Sequence, residues 1–307
     1  MGVWIDTDMG FDDIAAILVV MHAKLGIDGI SLVFGNTPMD QVKRNAAGAA
    51  SAFGWTVPMY VGRSVPVMGT LETAQEILGE TGIPTAGLSL PESDALPEGD
   101  AFSSLCRWLE EAPAPHRILA LGPLTNIAAL ALARPDLAAR IDELTWMGGG
   151  LTRGNHTASA EFNAFADPEA VTIVLAHGLP LKMVDLDFCR KVLAEPSDAD
   201  AVRMAGGVNA ALVADMLAGF INIAISRGRP AMALYDPAAA VAFVRPELVT
   251  FEPARINMEC VGHFTRGRTV VETRATLGLP NAHFASDCDA PAVKETIMAT
   301  LHWEAGK

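Results

Sequence analysis

Only four of the 307 residues are cysteines, Cys106, Cys189, Cys260 and Cys288, and no two form a Cys-x-x-Cys pair. This argues against a zinc site or a dithiol redox motif, and so few scattered thiols suit a reducing compartment. Basic residues are scarce too: 22 Lys and Arg stand against 36 Asp and Glu, a formal net charge of −14. Such a chain repels phosphate backbones, so no nucleic-acid partner is expected. Long apolar runs are missing. The longest, Ile14 to Met21, is far short of a membrane span, so no membrane partner is expected either. Met1 to Asp6 has no basic n-region and no long apolar stretch, which is unlike a signal peptide. The expectation is a soluble, cytoplasmic protein.

With 50% hydrophobic and 19% charged residues, the chain can bury a sizeable core and is not a disordered type. Short β-rich runs alternate with longer helical patterns. Val3–Asp6 reads as a strand, leading into a helix from about Asp12 to Leu25. Gly29–Phe34 is a second strand and Met39–Phe53 a second helix. Arg117–Leu121 precedes the helix Thr125–Leu132. Leu144–Met147 runs into Gly148-Gly149-Gly150, Pro168–His177 is helical, and Leu181–Leu186 is a strand. The alternation predicts an α/β fold: a Rossmann-like, mainly parallel sheet flanked by helices, in a single domain over residues 1–307. Gly62–Asp100 and Gly148–Ala160 read as loops. The helix from Ala210 to Arg227 and the residues just after it are expected to close over the sheet edge where such loops place ligands.

The most informative segment is Asp6-Thr-Asp-Met-Gly-Phe-Asp-Asp13, with four carboxylates in eight residues at the end of the first strand. Asp6 and Asp8, two apart, share a strand face; Gly10 is expected to make the sharp turn; Asp12 and Asp13 fall at a helix start. Capping accounts for two acids at a helix N-terminus. Four repel one another unless protons or a cation intervene. A hard divalent cation with oxygen ligands is the natural compensation, and it would also lower the pKa of a bound water. An Asp-x-Asp at a first strand end also resembles haloacid-dehalogenase-type phosphatases, but those usually continue Gly-Thr or Gly-Val, where this chain has Met9-Gly10-Phe11.

The segment Asp-Thr-Asp-x-Gly-x-Asp-Asp resembles the signature of the inosine-uridine-preferring nucleoside hydrolases, which usually have Pro where this chain has Met9. Further segments extend the resemblance over nearly the whole chain: Gly35-Asn36, Leu121 to Asn126, Met147 to Gly150, Asn155, Glu161-Phe-Asn163, Asp167 to Ala170, Asp236-Pro237, Thr265 to Val271 and Pro280 to Ala282. The resemblance implies the nucleoside hydrolase fold and hydrolysis of the ribose–base bond with Ca²⁺ as cofactor. It makes Asp8, Asp13, Asp236 and the Leu121 backbone carbonyl the metal ligands, and Asp8 also the general base. Asp12, Asn36, Met147, Asn155, Glu161 and Asn163 would hold the substrate, and Asp6 would orient its neighbours. The partner implied is a small ribonucleoside, and the assembly a homo-oligomer, dimer or tetramer.

The chain departs from this family where the leaving base is activated. The His that often precedes the late metal-binding Asp is replaced by Tyr235, and no His lies between His22 and His116. A phenol can donate a hydrogen bond or stack on a base. The purine-preferring members carry an aromatic residue here, so purine nucleosides are the expected substrates and Tyr235 a catalytic candidate. Packing against the pocket wall is the alternative for Tyr235, and solvent exposure the expectation for His156. Arg266 and Arg268 are expected to pair with nearby acids rather than bind phosphate. The missing His residues also leave room for a binder of nucleoside or ribose that has lost turnover.

Overall fold

The computed structural model describes residues 2–307. Its centre is a ten-stranded sheet. The strands, in chain order, are β1 (Gly2–Thr7), β2 (Gly26–Leu32), β3 (Met59–Val61), β4 (Gly99–Asp100), β5 (His116–Ala120), β6 (Ile141–Met147) and β7 (Leu181–Val184), then β8 (Leu193–Ala194) and β9 (Met232–Ala233), which form a separate antiparallel pair, and finally β10 (Val249–Met258), β11 (Thr269–Glu272) and β12 (Ala282–Cys288). The spatial order is β11-β10-β12-β7-β6-β5-β1-β2-β3-β4. From β12 to β4 every pairing is parallel, and β10 runs antiparallel between β12 and β11.

Period-2 alternation divides the strands between two cores. In β1, Val3 and Ile5 face one apolar cluster and Trp4 the other. In β5, Leu119 faces the first, Ile118 and Ala120 the second. The helices Phe11–His22, Met39–Phe53, Ala210–Ile225, Tyr235–Val244 and Ala290–Ala305 cover the first face, and Ala101–Glu111, Thr125–Ala133 and Pro168–Ala176 the second. Burial on both faces explains why these strands read as apolar runs without a polar face.

The strand order fixes where a ligand can sit. From β1 the chain steps outward through β2, β3 and β4, then returns to lay β5 against the opposite side of β1. The crevice beyond the carboxyl ends of β1 and β5 is therefore the topological switch point, where open α/β sheets bind ligands.

Several expected boundaries move. The first helix ends at His22, not Leu25, because Lys24 turns left-handed (φ 59°) ahead of β2. Strand β7 stops at Val184 because the Asp185 carboxylate accepts from the Asp187 and Phe188 amides and caps the short helix Leu186–Cys189. The helix expected to reach Arg227 ends at Ile225. The Gly62–Asp100 segment is irregular apart from the short helix Gln75–Leu78 and β4. The sharp turn after β1 falls on Met9 (φ 54°), while Gly10 is extended (φ −79°, ψ −175°). Proline, held near φ −65°, cannot adopt the Met9 conformation. Gly10 is needed for space instead: a Cβ there would lie 2.4 Å from the Asn36 side-chain nitrogen.

Candidate active site

Beyond the ends of β1 and β5 lies a cavity of about 760 Å³, lined by Asp8, Asp12, Asn36, Leu121, Met147, Asn155, Glu161, Asn163, Tyr235 and Asp236 among others. All of the sequence-predicted site residues except Asp13 and the supporting Asp6 thus share one cavity. Asp13 sits directly behind it, fully buried.

The acidic floor is built from two helix starts. Asp12 and Asp13 occupy the first turn of Phe11–His22, and Asp236 the first turn of Tyr235–Val244. These two helices pack against one another under the sheet. Carboxylate oxygens of Asp12, Asp13 and Asp236 all lie within 4.8 Å of one another. Thr7 Oγ1 donates to Asp13 Oδ1, and the amides of Asp8 (3.2 Å) and Gly10 (2.8 Å) also donate to Asp13. Asp8 adjoins this group just past β1. Its two oxygens accept from the backbone N–H (2.7 Å) and Nδ2 (2.8 Å) of Asn36, whose Nδ2 also reaches Asp13 Oδ2 at 3.3 Å. Gly35 makes that approach possible, since a Cβ there would fall 1.9 Å from Asp8 Oδ2.

Burial and mutual repulsion make these carboxyls hard to ionise. Desolvation first, then the charge of Asp13, holds Asp8 well above the usual carboxylate range, and the same two causes push Asp12 up to about 8. Desolvation and the charges of Asp12, Asp13 and Asp8 raise Asp236 well above its ordinary value. Burial also raises Asp13, opposed by its hydrogen bonds from Thr7 and Gly10. No Lys, Arg or His side chain hydrogen-bonds to any of the four among the described residues. An all-oxygen, acid-rich donor set with no cationic side chain fits a hard divalent cation.

Behind this floor, Asp6 is fully buried. Its Oδ1 accepts from Ser31 and from Asn126 Nδ2 (2.7 Å), its Oδ2 has no partner, and desolvation lifts it to about 7. The Leu121 carbonyl, at the end of β5, accepts from Asn163 Nδ2 at 2.9 Å, and the same nitrogen donates to the Met147 carbonyl at 2.9 Å. The Asn163 amide nitrogen is therefore occupied with the backbone. Glu161 caps the helix Phe162–Ala166, its carboxylate accepting from the amides of Gly149, Asn163 and Ala164 at 2.8–2.9 Å; burial nonetheless raises it to about 7. Asn155 Oδ1 accepts from the Phe162 amide at 3.0 Å. Asn155, Glu161 and Asn163 thus both border the cavity and tie down its wall.

Tyr235 is half-buried in the wall, edge-on to Phe220 at 6.4 Å between centroids. Burial raises its phenol above its ordinary pKa, so it stays protonated at neutral pH. His156 is exposed as expected, but it also lines the cavity and packs on Phe165 with centroids 4.5 Å apart. Arg266 pairs with Glu169 through both terminal nitrogens, at 2.7 and 2.9 Å. Arg268 departs from expectation: it donates to the carbonyls of Leu151, Thr152 and Ser159 rather than to an acid. The cavity also has members that sequence reasoning missed. They are the continuous stretch Leu71–Leu78 and the arginines Arg153, Arg190, Arg227 and Arg229. Arg227 and Arg229 are neighbours in sequence around Gly228; folding brings Arg153 and Arg190 to the same cavity.

A mainly parallel sheet with a cluster of carboxylate oxygens at its switch point is the arrangement of an α/β protein with a candidate divalent-cation site beside its ligand cavity. Residues 3–295 match the model of the family described as inosine-uridine preferring nucleoside hydrolase. Pyrimidine-specific ribonucleoside hydrolase RihA of Citrobacter koseri is 33% identical over 302 residues, 96% of each chain. Non-specific ribonucleoside hydrolase RihC of Escherichia coli is 32% identical over 305 residues, 97% of each. The structure of a purine-preferring ribonucleoside hydrolase from Gardnerella vaginalis superposes with a TM-score of 0.91 at 27% identity, covering 100% of this chain and 99% of that one. The chain belongs to the nucleoside hydrolase family, with its single-domain α/β fold. No described helix is long and apolar enough to cross a membrane.

Proposed function

We propose that this protein hydrolyses the N-glycosidic bond of ribonucleosides in a calcium-dependent reaction, with purine nucleosides preferred. The observation that carries the reading is the cluster of Asp8, Asp12 and Asp236 at the switch-point cavity, with Asp13 buried behind them and Leu121 lining the same cavity. Asp8, Asp13, Asp236 and the Leu121 carbonyl are the proposed calcium ligands. Bound calcium would supply Lewis-acid polarisation of a water and of the ribose hydroxyls. Asp8, held by Asn36, takes the proton of the attacking water as its oxygen bonds to C1′, and the C1′–N bond breaks with its electron pair going to the base. Asp12, Asn36, Asn155, Glu161, Asn163 and Met147 are proposed to seat the ribose. A single preset geometry of donors and acceptors favours the oxocarbenium-like transition state.

Tyr235 is the proposed contact to the departing base, donating from a phenol that burial keeps protonated. Its aromatic ring supports the purine preference, as does the purine-preferring relative in Gardnerella vaginalis; the pyrimidine-specific and non-specific names of the other relatives point to broader choice. The assembly is proposed to be a homo-oligomer, and the compartment the cytoplasm. The deciding experiment measures reducing sugar released from a panel of ribonucleosides, with calcium and then with chelator. Chelator-sensitive ribose release supports the hydrolase. Nucleoside binding without release supports a silent binder, and free phosphate from phosphorylated substrates a phosphatase.

A further inference from the structure

The cavity is electrically divided. Its floor is acidic, but its lining also includes four arginines, Arg153, Arg190, Arg227 and Arg229, in a chain with only 22 basic residues and a net charge of −14. Arg190 is already engaged, donating to the carbonyls of Arg153 (3.1 Å) and Gly154 (3.0 Å) and paired with Asp187 at 3.5 Å. Arg227 and Arg229 are exposed and, like Arg153 and the non-cavity Arg63, Arg107 and Arg255, make no side-chain hydrogen bond or ion pair among the described residues, whereas Arg117, Arg134, Arg203, Arg245, Arg266 and Arg274 are each paired with an acid. They flank the turn between the helix Ala210–Ile225 and β9, which also brings Ile223 and Met232 to the cavity.

Acidic and basic side chains reach the cavity from different segments, Glu72 and Glu76 from the Leu71–Leu78 stretch and Arg227 and Arg229 from the turn before β9. Glu72 and Glu76 lie on the His156 side, where their charge acts on the imidazole. Arg229 and Arg190 lie on the Tyr235 side, where theirs acts on the phenol. With the ribose hydroxyls on the acidic floor, the base is the part of a nucleoside that reaches Tyr235 and the arginines. Unpaired guanidiniums at the rim of a cavity attract carboxylates and acidic heterocycles over neutral ligands.

Resting on the hydrolase reading, we propose that the substrate is a ribonucleoside whose base is negatively charged at neutral pH, through a ring carboxylate or an acidic ring nitrogen, and that Arg227 and Arg229 bind that charge. The bond electrons leaving C1′ add to the negative charge on the base; the guanidiniums stabilise it until a proton from Tyr235 or solvent neutralises the ring nitrogen, while Asp8 keeps the proton taken from water.

The test compares kcat/KM for pairs that differ in the base charge, orotidine against uridine and xanthosine against inosine, in the calcium-loaded full chain. The expected result is a preference for the charged member of at least one pair, expressed mainly in KM and eroded by raising salt. In the Arg227→Gln/Arg229→Gln variant the charged-to-neutral ratio drops about tenfold or more, the equivalent of about 1.4 kcal/mol. The same ratio is kept in Arg107→Gln, an exposed arginine outside the cavity. Equal KM within both pairs, or a ratio indifferent to the double substitution, overturns the proposal while leaving the hydrolase intact. Preference for inosine 5′-monophosphate over inosine, without discrimination within the pairs, places the anion on the sugar and overturns it too. Failure to release ribose from any member overturns the hydrolase reading together with this one.

Discussion

Removing calcium should lower the melting temperature, and by more as pH rises. Asp8, Asp12, Asp13 and Asp236 lie together with no cationic side chain bonded to them among the described residues. Without a cation, the folded chain keeps several of these carboxyls protonated, with Asp12 near 8 and Asp8 and Asp236 well above the ordinary value of 3.8. A carboxyl whose folded pKa is raised contributes stability below its unfolded pKa and loses it as pH climbs through the folded one. The cation-free protein should therefore lose stability progressively from about pH 4 to beyond pH 8, opposite to the usual salt-bridged carboxylate. Calcium takes the place of those protons, so its benefit grows over the same window. At a calcium concentration 100-fold above Kd, the gain is about 2.7 kcal/mol. An unfolding entropy of about 2.1 cal/mol/K per residue makes that a rise of roughly 4 °C for a chain of this length. Tryptophan-fluorescence melts at pH 6, 7.5 and 9, with calcium or chelator, read it directly. A melting temperature indifferent to calcium at every pH, or a shift of full size in Asp13→Asn, would falsify the assignment of a cation to this cluster.

Asp8→Asn should fold and bind nucleoside but lose about 10²–10⁴ in kcat, the range for loss of a general base; near-wild-type turnover in single-turnover assays removes Asp8 from that role. Tyr235→Phe should lower kcat on natural nucleosides while sparing a riboside with a good leaving group such as 4-nitrophenol; equal effects on both would make Tyr235 a packing residue. Gly35→Ala places a Cβ 1.9 Å from Asp8 Oδ2 and should displace that carboxylate. With the core untouched, circular dichroism should be unchanged while kcat falls about 10²-fold, the scale of a 1 Å misplacement; unaltered kinetics would mean that the Asp8 position is not critical.

Much of the architecture was legible in local pattern. The β1 and β5 apolar runs, the helix Met39–Phe53 and the Asp6–Asp13 acid cluster each depend on residues close in sequence, where strand period and helix capping are readable. Element ends were less so, because they turn on single events, such as the left-handed Lys24 or the cap made by Asp185. Sequence patterning also located the turn after β1 but not its mechanism. Gly10 had the expected freedom, yet the left-handed residue is Met9, because what Gly10 must accommodate is Asn36, 26 positions away.

The residues thus carried the acid-rich chemistry, the α/β class and the place of the site at the strand ends, since these derive from composition and periodicity along the chain. Two things required folding. One is the Asp12–Asp13–Asp236 cluster, closed by packing two helices whose starts lie more than 200 positions apart. The other is the convergence of Arg153 and Arg190 with the Arg227–Arg229 turn on the same cavity. Distances between residues remote in sequence are set by the sheet order and helix packing, and no local pattern encodes them.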